Sequence, residues 1–397
     1  MTTSKETTLA HPKVKRAWDE IARGQEELVE LVTSVTETPA PSHEEGRRAQ
    51  LVAKLFKDAG LTNIRIDESS TPLGELDLGG AGPVILLAAH IDTVFPMDTP
   101  IRVTREDDIL RAPGVGDNSS SVAALCFLAR LLITTGLLKE LGLGGRLIFA
   151  GTSGEEGLGD LKGMKQVMKD LGSSVDLCLP VDGRLGGLVY KAVGSRRLRI
   201  TALADGGHSW GAFGTPSAIH ALGRLIARID SIQVPEEPRT TYNVGVISGG
   251  TSVNTIAAGA ELLLDLRSVD SEQLAILEGQ VRSAVAAVGQ ISKVRFEVEV
   301  IGDRPAGEGD GTHPVAGLVR DIYSELGISC IEGASSTDGN VPISMGIPSF
   351  TIGVYRGGNG HRQDEWIDSA SLIPGLQSLL LIVLGALQIE GVATNGN

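Results

Sequence analysis

Short apolar runs, each followed by a loop rich in glycine, aspartate or histidine, constrain the fold more than any other feature of this sequence. Residues 84–89 and 147–150 are continuously apolar, and residues 175–181 and 347–352 are mostly apolar. Short runs without polar alternation are typical of strands buried on both faces of a parallel sheet. Because helical stretches such as 121–132 separate them, the sequence predicts an α/β fold with a mostly parallel sheet flanked by helices.

The middle of the chain follows a different pattern. Its strand-like and helical segments are residues 198–203, 217–229, 242–247, 261–267, 271–288 and 294–300. This order of strand, helix, two strands, helix and strand predicts a smaller α+β domain inserted into the larger one. We predict a catalytic domain of residues 1–193 and 307–397 and an inserted domain of residues 194–306. A chain of 397 residues fits two domains, since one core rarely extends so far.

Charge and cysteine content limit the classes of binding partner and the cellular compartment that suit this protein. The formal net charge of −14 argues against a nucleic-acid partner or an anionic membrane, because either would require a basic face. The three cysteines form no Cys-x-x-Cys pair, which is typical of buried thiols in a reducing compartment. Residues 1–8 are polar and lack the apolar core of a signal peptide. We therefore predict a cytoplasmic protein.

The apolar run at residues 376–387 is interrupted by Gln377, Ser378 and Gly385. It is shorter than the roughly 18 apolar residues that a membrane span needs. We predict a buried terminal helix there and no membrane partner.

Side chains of the metal-binding types follow the predicted strands or precede a helix: His90, Asp92, Asp117, Glu155, Glu156, Asp182 and His361. In an open parallel sheet, the carboxyl ends of the strands share one crevice, so residues distant in sequence converge there. Imidazole and carboxylate groups suit Zn²⁺, and a site without thiolate also accepts Co²⁺ or Mn²⁺. The sequence therefore predicts a site for divalent metal ions.

Elementary chemistry suggests separate roles within this set. Two cations about 3.5–4 Å apart repel each other, so a shared carboxylate is needed, and Asp117 is placed to bridge. Asp92 lies on the same side of an extended chain as His90 and is predicted to accept its second N–H. Of the adjacent glutamates Glu155 and Glu156, we expect one to bind metal and the other to move a proton.

These motifs, with two further ones from the middle of the chain, carry a family resemblance. They are His90-Ile-Asp-Thr-Val, Gly116-Asp-Asn, Gly154-Glu-Glu-Gly, Val181-Asp-Gly, Gly207-His208-Ser with Asn254, and His361-Arg-Gln-Asp-Glu365. Together they resemble the M20 family of metallopeptidases over about residues 25 to 390. That family includes peptidase T, glutamate carboxypeptidase, and the acetylornithine and succinyl-diaminopimelate deacylases.

The resemblance implies a role for each residue of the predicted metal site. His90 and Asp182 would hold one metal ion, Glu156 and His361 the other, and Asp117 would bridge them. Glu155 would be the general base that takes a proton from a metal-bridging water, and Asp92 would support His90. The resemblance also implies that the inserted domain forms a homodimer.

In the inserted domain, the resemblance places His208 in the active site of the partner subunit, where it would help to hold the oxyanion. Asn254 and Arg267 match positions that bind carbonyl and carboxylate groups of the substrate, although Arg267 also fits an ion pair at a sheet edge. Trp210 and Phe213 depart from the small residues of many relatives. They fit either a dimer interface or the wall of a pocket for a bulky group.

We predict a metal-dependent hydrolase of amide or peptide bonds that acts on short peptides as an amino- or dipeptidase. The similarity to peptidase T at residues 335–338 and 357–361 favours peptides over N-acyl amino acids, whose deacylation is the alternative, as is hydrolysis of another C–N bond. A catalytically silent metal-binding relative would lack Glu155 or a ligand, and all are present. A serine hydrolase would use the Gly-x-Ser-x-Gly pattern at residues 207–211, but no helix signal follows it at once.

Overall fold

The structure, a computed structural model, describes residues 11 to 389 and residue 392, so the polar segment 1–8 lies outside the described residues. Its helices are α1 (Pro12–Arg23), α2 (Gln25–Thr36), α3 (Gly46–Ala59), α4 (Ser121–Thr135), α5 (Leu137–Glu140), α6 (Lys162–Leu171), α7 (Ala218–Asp230), α8 (Ser271–Ser292), α9 (Pro314–Glu325), α10 (Asn340–Ser344) and α11 (Leu372–Ala386). Its strands are β1 (Thr62–Ile66), β2 (Pro72–Gly79), β3 (Val84–His90), β4 (Thr104–Glu106), β5 (Ile109–Arg111), β6 (Gly145–Thr152), β7 (Leu177–Leu185), β8 (Gly187–Ala192), β9 (Gly194–Leu203), β10 (Gly207–His208), β11 (Thr240–Gly249), β12 (Thr255–Ile256), β13 (Gly259–Ser268), β14 (Arg295–Arg304), β15 (Gly307–Glu308), β16 (Ile331–Ser335), β17 (Thr351–Gly353), β18 (Arg356–Gly358) and β19 (Trp366–Asp368).

The chain divides into two compact units. The first holds the residues up to Tyr190 and those from Gly309 onward, and the second is Lys191–Glu308. The segment 194–306 lies within the second unit. Its role as a dimerisation or lid domain stays a prediction.

The main sheet of the first unit confirms the predicted α/β class. Its strands run in the order β1-β2-β6-β3-β7-β17-β8. The central neighbours β6, β3, β7 and β17 are parallel, whereas β1, β2 and β8 pair antiparallel at the sides. The parallel part of the sheet therefore coincides with the apolar runs of the sequence.

Strand β3 shows why its sequence is apolar throughout. Ile85 and Leu87 pack into one core with α4, and Leu86 and Ala88 pack into a second core with α6. Because successive side chains of a strand point to opposite faces, both faces of β3 are covered and no position favours a polar residue. The strand ends at His90, a polar residue that is also buried.

The terminal apolar run is a buried helix, as predicted. Helix α11 is buried over most of its length, including Leu376 and the residues up to Leu384. Two helical stretches of the described residues, Val115–Thr135 and Ser369–Ala386, are long and apolar enough to cross a membrane. In both, 78% of the apolar window is buried within the protein, as in the core helices of folded domains.

The second unit is built on an antiparallel sheet with the strand order β11-β13-β9-β14. Alternate residues of its inner strands, such as Leu198 and Ile200 in β9 and Leu262 and Leu264 in β13, pack against α7 and α8. This alternation of buried and less buried residues is that of a sheet covered on one face. The longer strands and the helices follow the predicted order, and the two-residue strands β10 and β12 were not predicted.

Candidate metal centre

The carboxyl ends of three adjacent strands bring the predicted metal-binding side chains of the first unit together. Strand β3 ends at His90, the loop that follows β6 carries Glu155 and Glu156, and Asp182 lies in β7. The segment that leads into α4 carries Asp117, whose backbone dihedral angles are not helical. The loop between β18 and β19 supplies His361.

Asp117 lies between the two histidines. Its Oδ1 is 3.0 Å from His90 Nε2, and its Oδ2 is 3.1 Å from His361 Nε2. His361 Nε2 is also 2.8 Å from Glu156 Oε1, and His90 Nε2 is 4.0 Å from Asp182 Oδ1. Each oxygen of one carboxylate therefore faces a different histidine, as a bridging ligand requires.

These side chains form three overlapping groups with potential ligand atoms within 4.8 Å of one another: His90, Asp117 and Asp182; Asp117, Glu156 and His361; and His90, Glu155 and Glu156. Among the described residues, these groups contain imidazole and carboxylate but no thiol. That donor set fits divalent ions of the zinc, cobalt or manganese type. The sharing of Asp117 between two groups fits a pair of ions rather than one.

The pKa values of the cluster show how strongly its carboxylates attract positive charge. Burial lowers the pKa of His90, but the carboxylates of Asp117 and Asp92 outweigh it and raise that pKa well above its ordinary value. Hydrogen bonds with Asp117 and Glu156 raise the pKa of His361 to about 10. Burial raises the pKa of Asp182 to about 7, with His90 opposing the shift and Asp117 adding to it. A divalent cation bound to this cluster would displace protons from the histidines.

Asp92 organises more than the imidazole it was predicted to support. The Asp92 carboxylate is 3.6 Å from His90 Nδ1. The backbone oxygen of Asp92 is nearer to this nitrogen, at 3.1 Å. The carboxylate oxygens instead accept the backbone N–H groups of Glu155 and Glu156, each at 2.9 Å. Asp92 is fully buried and thus fixes the backbone of the glutamate pair.

Ser42 belongs to the same network, which the sequence did not reveal. The Ser-x-x-Glu pattern at residues 42–45 resembles a helix capping box, but α3 begins at Gly46 and Glu45 Oε1 accepts from His43 N. The Ser42 hydroxyl lies 2.6 Å from Asp92 Oδ2 and 3.2 Å from Glu156 O. Ser42 therefore supports the candidate metal site rather than the helix.

The loop that carries Asp117 is shaped by its neighbours. Gly114 has a φ of 72°, a left-handed conformation that favours glycine. The peptide bond between Asp117 and Asn118 is cis. Asn118 Nδ2 donates to Val181 O at 2.9 Å, which ties this loop to β7 beside Asp182. Asn118 is a further supporting residue to which sequence reasoning assigned no role.

In the second unit, His208 ends the short strand β10 opposite Thr255 of β12 and is exposed. Its Nδ1 accepts the backbone N–H groups of Trp210 and Gly211, each at 3.3 Å. With Nδ1 used as an acceptor, the neutral imidazole carries its hydrogen on Nε2. Nε2 is then a hydrogen-bond donor of an exposed side chain.

Asn254 and Arg267 also lie in the second unit. The Asn254 backbone oxygen accepts from Ser209 N at 2.9 Å, and its Oδ1 accepts from Ser252 Oγ at 2.7 Å. Arg267 Nε donates to Asp265 Oδ2 at 2.7 Å. Because β13 lies between β11 and β9, this ion pair is on a central strand of the sheet and not on an edge strand. The substrate-binding roles of both residues stay predictions.

The loop after His208 carries two exposed aromatic side chains. Trp210 is 89% and Phe213 is 91% exposed, so both remain open to a second copy of the chain or to a substrate. The same loop rules out a nucleophile elbow, since the next helix, α7, begins only at Ala218. The serine hydrolase alternative therefore lacks its structural context.

Comparison with known proteins places this architecture in a family. Residues 86–385 match peptidase family M20/M25/M40. Succinyl-diaminopimelate desuccinylase of Corynebacterium glutamicum is 24% identical over 344 residues, which cover 84% of this chain and 90% of that protein.

The solved structures that share this fold include the following two. A tripeptidase of Staphylococcus aureus has a TM-score of 0.76 at 21% identity, covering 92% of this chain and 99% of its own. The YXEP protein of Bacillus subtilis, described as a dinuclear metal-binding peptidase of the M20 family, has a TM-score of 0.69 at 17% identity, with coverage of 92% and 99%.

Proposed function

We propose that this chain, which belongs to peptidase family M20/M25/M40 and is a metal-dependent hydrolase, cleaves short peptides as an amino- or dipeptidase. The observation that carries the proposal is the cluster in which the two oxygens of Asp117 face His90 and His361. The fold similarity to a tripeptidase favours peptides as substrates.

The proposed ligand set divides the cluster into two halves. His90 and Asp182 would hold one cation, Glu156 and His361 the second, and Asp117 would bridge them. This division is supported by the distances of 3.0 and 3.1 Å from Asp117 to the two imidazoles and of 2.8 Å from His361 to Glu156. Two divalent cations bound in this way would polarise the scissile carbonyl and lower the pKa of water.

Glu155 is the proposed proton carrier. Its side chain is buried, with 5% exposure, and it lies with His90 and Glu156 in one group of the cluster. The carboxylate would take a proton from the water that attacks the carbonyl carbon and would give it to the leaving nitrogen as the C–N bond breaks. The hydrogen bond from Glu155 N to Asp92 fixes the backbone from which this carboxylate extends.

We further propose that the second unit forms a homodimer and supplies His208 to the partner's active site. A donor hydrogen on Nε2 suits stabilisation of an oxyanion. Asn254 and Arg267 would bind the substrate's carbonyl and carboxylate groups.

Mixed dimers test the exchange of His208 between subunits. When inactive His208→Ala and Asp117→Ala proteins are mixed and allowed to re-associate, activity should return to about a quarter of the wild-type value, because half of the dimers hold one complete site. A mixture of Asp117→Ala with Glu156→Ala should stay inactive, since both changes lie in the same cluster. A monomeric protein, or mixed dimers without activity, would contradict the exchange.

A substrate panel tests the peptidase proposal. We expect a kcat/KM on di- and tripeptides at least about tenfold above that on N-acetyl and N-succinyl amino acids. The sharpest comparison is one peptide with a free amino terminus against the same peptide acetylated, because an aminopeptidase requires the free amine. Turnover confined to N-acyl amino acids would establish the second candidate, a deacylase, which the similarity to the desuccinylase favours.

A further inference from the structure

Glu365 lies four residues after His361 and is 1% exposed. Its Oε1 accepts the backbone N–H groups of Gly116 at 2.9 Å and Asp117 at 2.8 Å, and its Oε2 accepts that of Gly114 at 2.9 Å. Its backbone oxygen accepts from Ala112 N at 3.1 Å. One residue thus binds four amides of residues 112–117, a segment we call the Asp117 loop.

The Asp117 loop is fitted to this carboxylate. A Cβ atom at Gly116 would lie 2.8 Å from Glu365 Oε1 and 2.7 Å from the Tyr355 ring, so a larger residue would push the carboxylate away. The three amide hydrogens would be buried without acceptors if the carboxylate were absent, and such groups are costly to leave unpaired. The loop and Glu365 therefore depend on each other.

Glu365 also connects the two halves of the cluster. The segment 361–365 supplies His361 directly, and through Glu365 it fixes the backbone N–H of Asp117, whose Oδ2 is 3.1 Å from His361 Nε2. A change in this carboxylate would alter the orientation of the Asp117 carboxylate between the two histidines. Neither oxygen of Glu365 belongs to the groups of potential ligand atoms.

We propose that Glu365 is a positioning residue that holds the Asp117 carboxylate in its bridging orientation. The inference rests on the proposed two-metal function. Residues that orient metal ligands in this way typically contribute 10- to 100-fold to metal affinity or activity. The role requires two acceptor oxygens, because the amide of a glutamine would place N–H groups against a backbone N–H.

The test compares Glu365→Gln and Gly116→Ala with the wild type. We expect each change to weaken metal binding about 10- to 100-fold in competition with a chromogenic chelator, and to lower kcat with KM within about twofold. In the double variant, the fold-loss of metal affinity and of kcat should be smaller than the product of the two separate fold-losses, since both changes release the same loop. A matched control is Glu75→Gln, another buried glutamate, which binds Asn63 and Arg65 and should leave both quantities unchanged.

A folded Glu365→Gln protein with wild-type metal affinity and kcat would overturn the proposal. If that variant does not fold, Glu365→Asp is measured in its place, since it keeps the charge but shortens the side chain by one methylene. Reduced metal affinity and kcat would then support the proposal, and wild-type values of both would overturn it. A wild-type protein that binds fewer than two metal ions would reject the two-metal site, and with it this inference, whatever the variants show.

Discussion

Glu155→Gln is expected to keep the metal content of the wild type and to lower kcat by about 10²- to 10⁴-fold, the usual contribution of a positioned acid–base group. Glutamine has the size of glutamate but neither takes nor returns the proton of the attacking water. The backbone should not move, because Asp92 accepts from the backbone N–H of residue 155 and not from its side chain. Steady-state kinetics together with elemental analysis of the dialysed protein measures both quantities.

The neighbouring residue provides the control. Glu156 Oε1 is 2.8 Å from His361 Nε2, so Glu156→Gln should reduce the metal content, and its loss of activity should be partly restored by added metal. Glu155 also lies within a group of potential ligands with His90 and Glu156, which makes the comparison decisive. Metal loss in both variants, or in neither, would contradict the division of roles between the two glutamates.

Asp117→Ala is expected to lose both metal ions and to retain less than about one part in 10³ of wild-type activity. Its oxygens face His90 at 3.0 Å and His361 at 3.1 Å, so one substitution removes a ligand from each half of the cluster. Without the shared negative charge, two cations about 3.5–4 Å apart would repel each other with nothing between them. Metal per chain after dialysis, measured beside a circular dichroism spectrum, reports the effect.

Asp182→Ala serves as the comparison for Asp117. Asp182 Oδ1 is 4.0 Å from His90 Nε2, and Asp182 belongs only to the group with His90 and Asp117. Its loss should therefore empty one metal site and leave the other filled. An Asp117→Ala protein that keeps two metal ions would show that Asp117 does not bridge.

The parallel core of the first unit could be predicted from sequence because burial on both faces leaves a continuous apolar run. The run at residues 84–89 became β3 (Val84–His90). The run at 347–352 gave only β17 (Thr351–Gly353), since Pro348 lacks a backbone N–H for the ladder. Strand β2 (Pro72–Gly79) was missed because its burial changes along its length and depends on its pairing with β6.

The side chains of the candidate metal site could be singled out from sequence because their types are distinctive and most of them lie at or just after the ends of apolar strands. Their supporting residues could not, because serine, asparagine and glutamate are common on surfaces. Ser42 contacts Asp92 from 50 positions away, and Glu365 contacts Gly116 from 249 positions away. Only the tertiary structure brings such partners together. For Glu365, the family motif that begins at His361 was the one available signal.

The metal content of the active protein tests the two-metal site most directly. Metal-free protein is titrated with Zn²⁺, Co²⁺ or Mn²⁺ while bound metal and peptide hydrolysis are followed in the same samples. We expect no activity without metal, full activity at two equivalents per chain, and reversal by a chelator. Full hydrolysis by metal-free protein, or saturation of binding at one equivalent with full activity, would contradict the two-metal site.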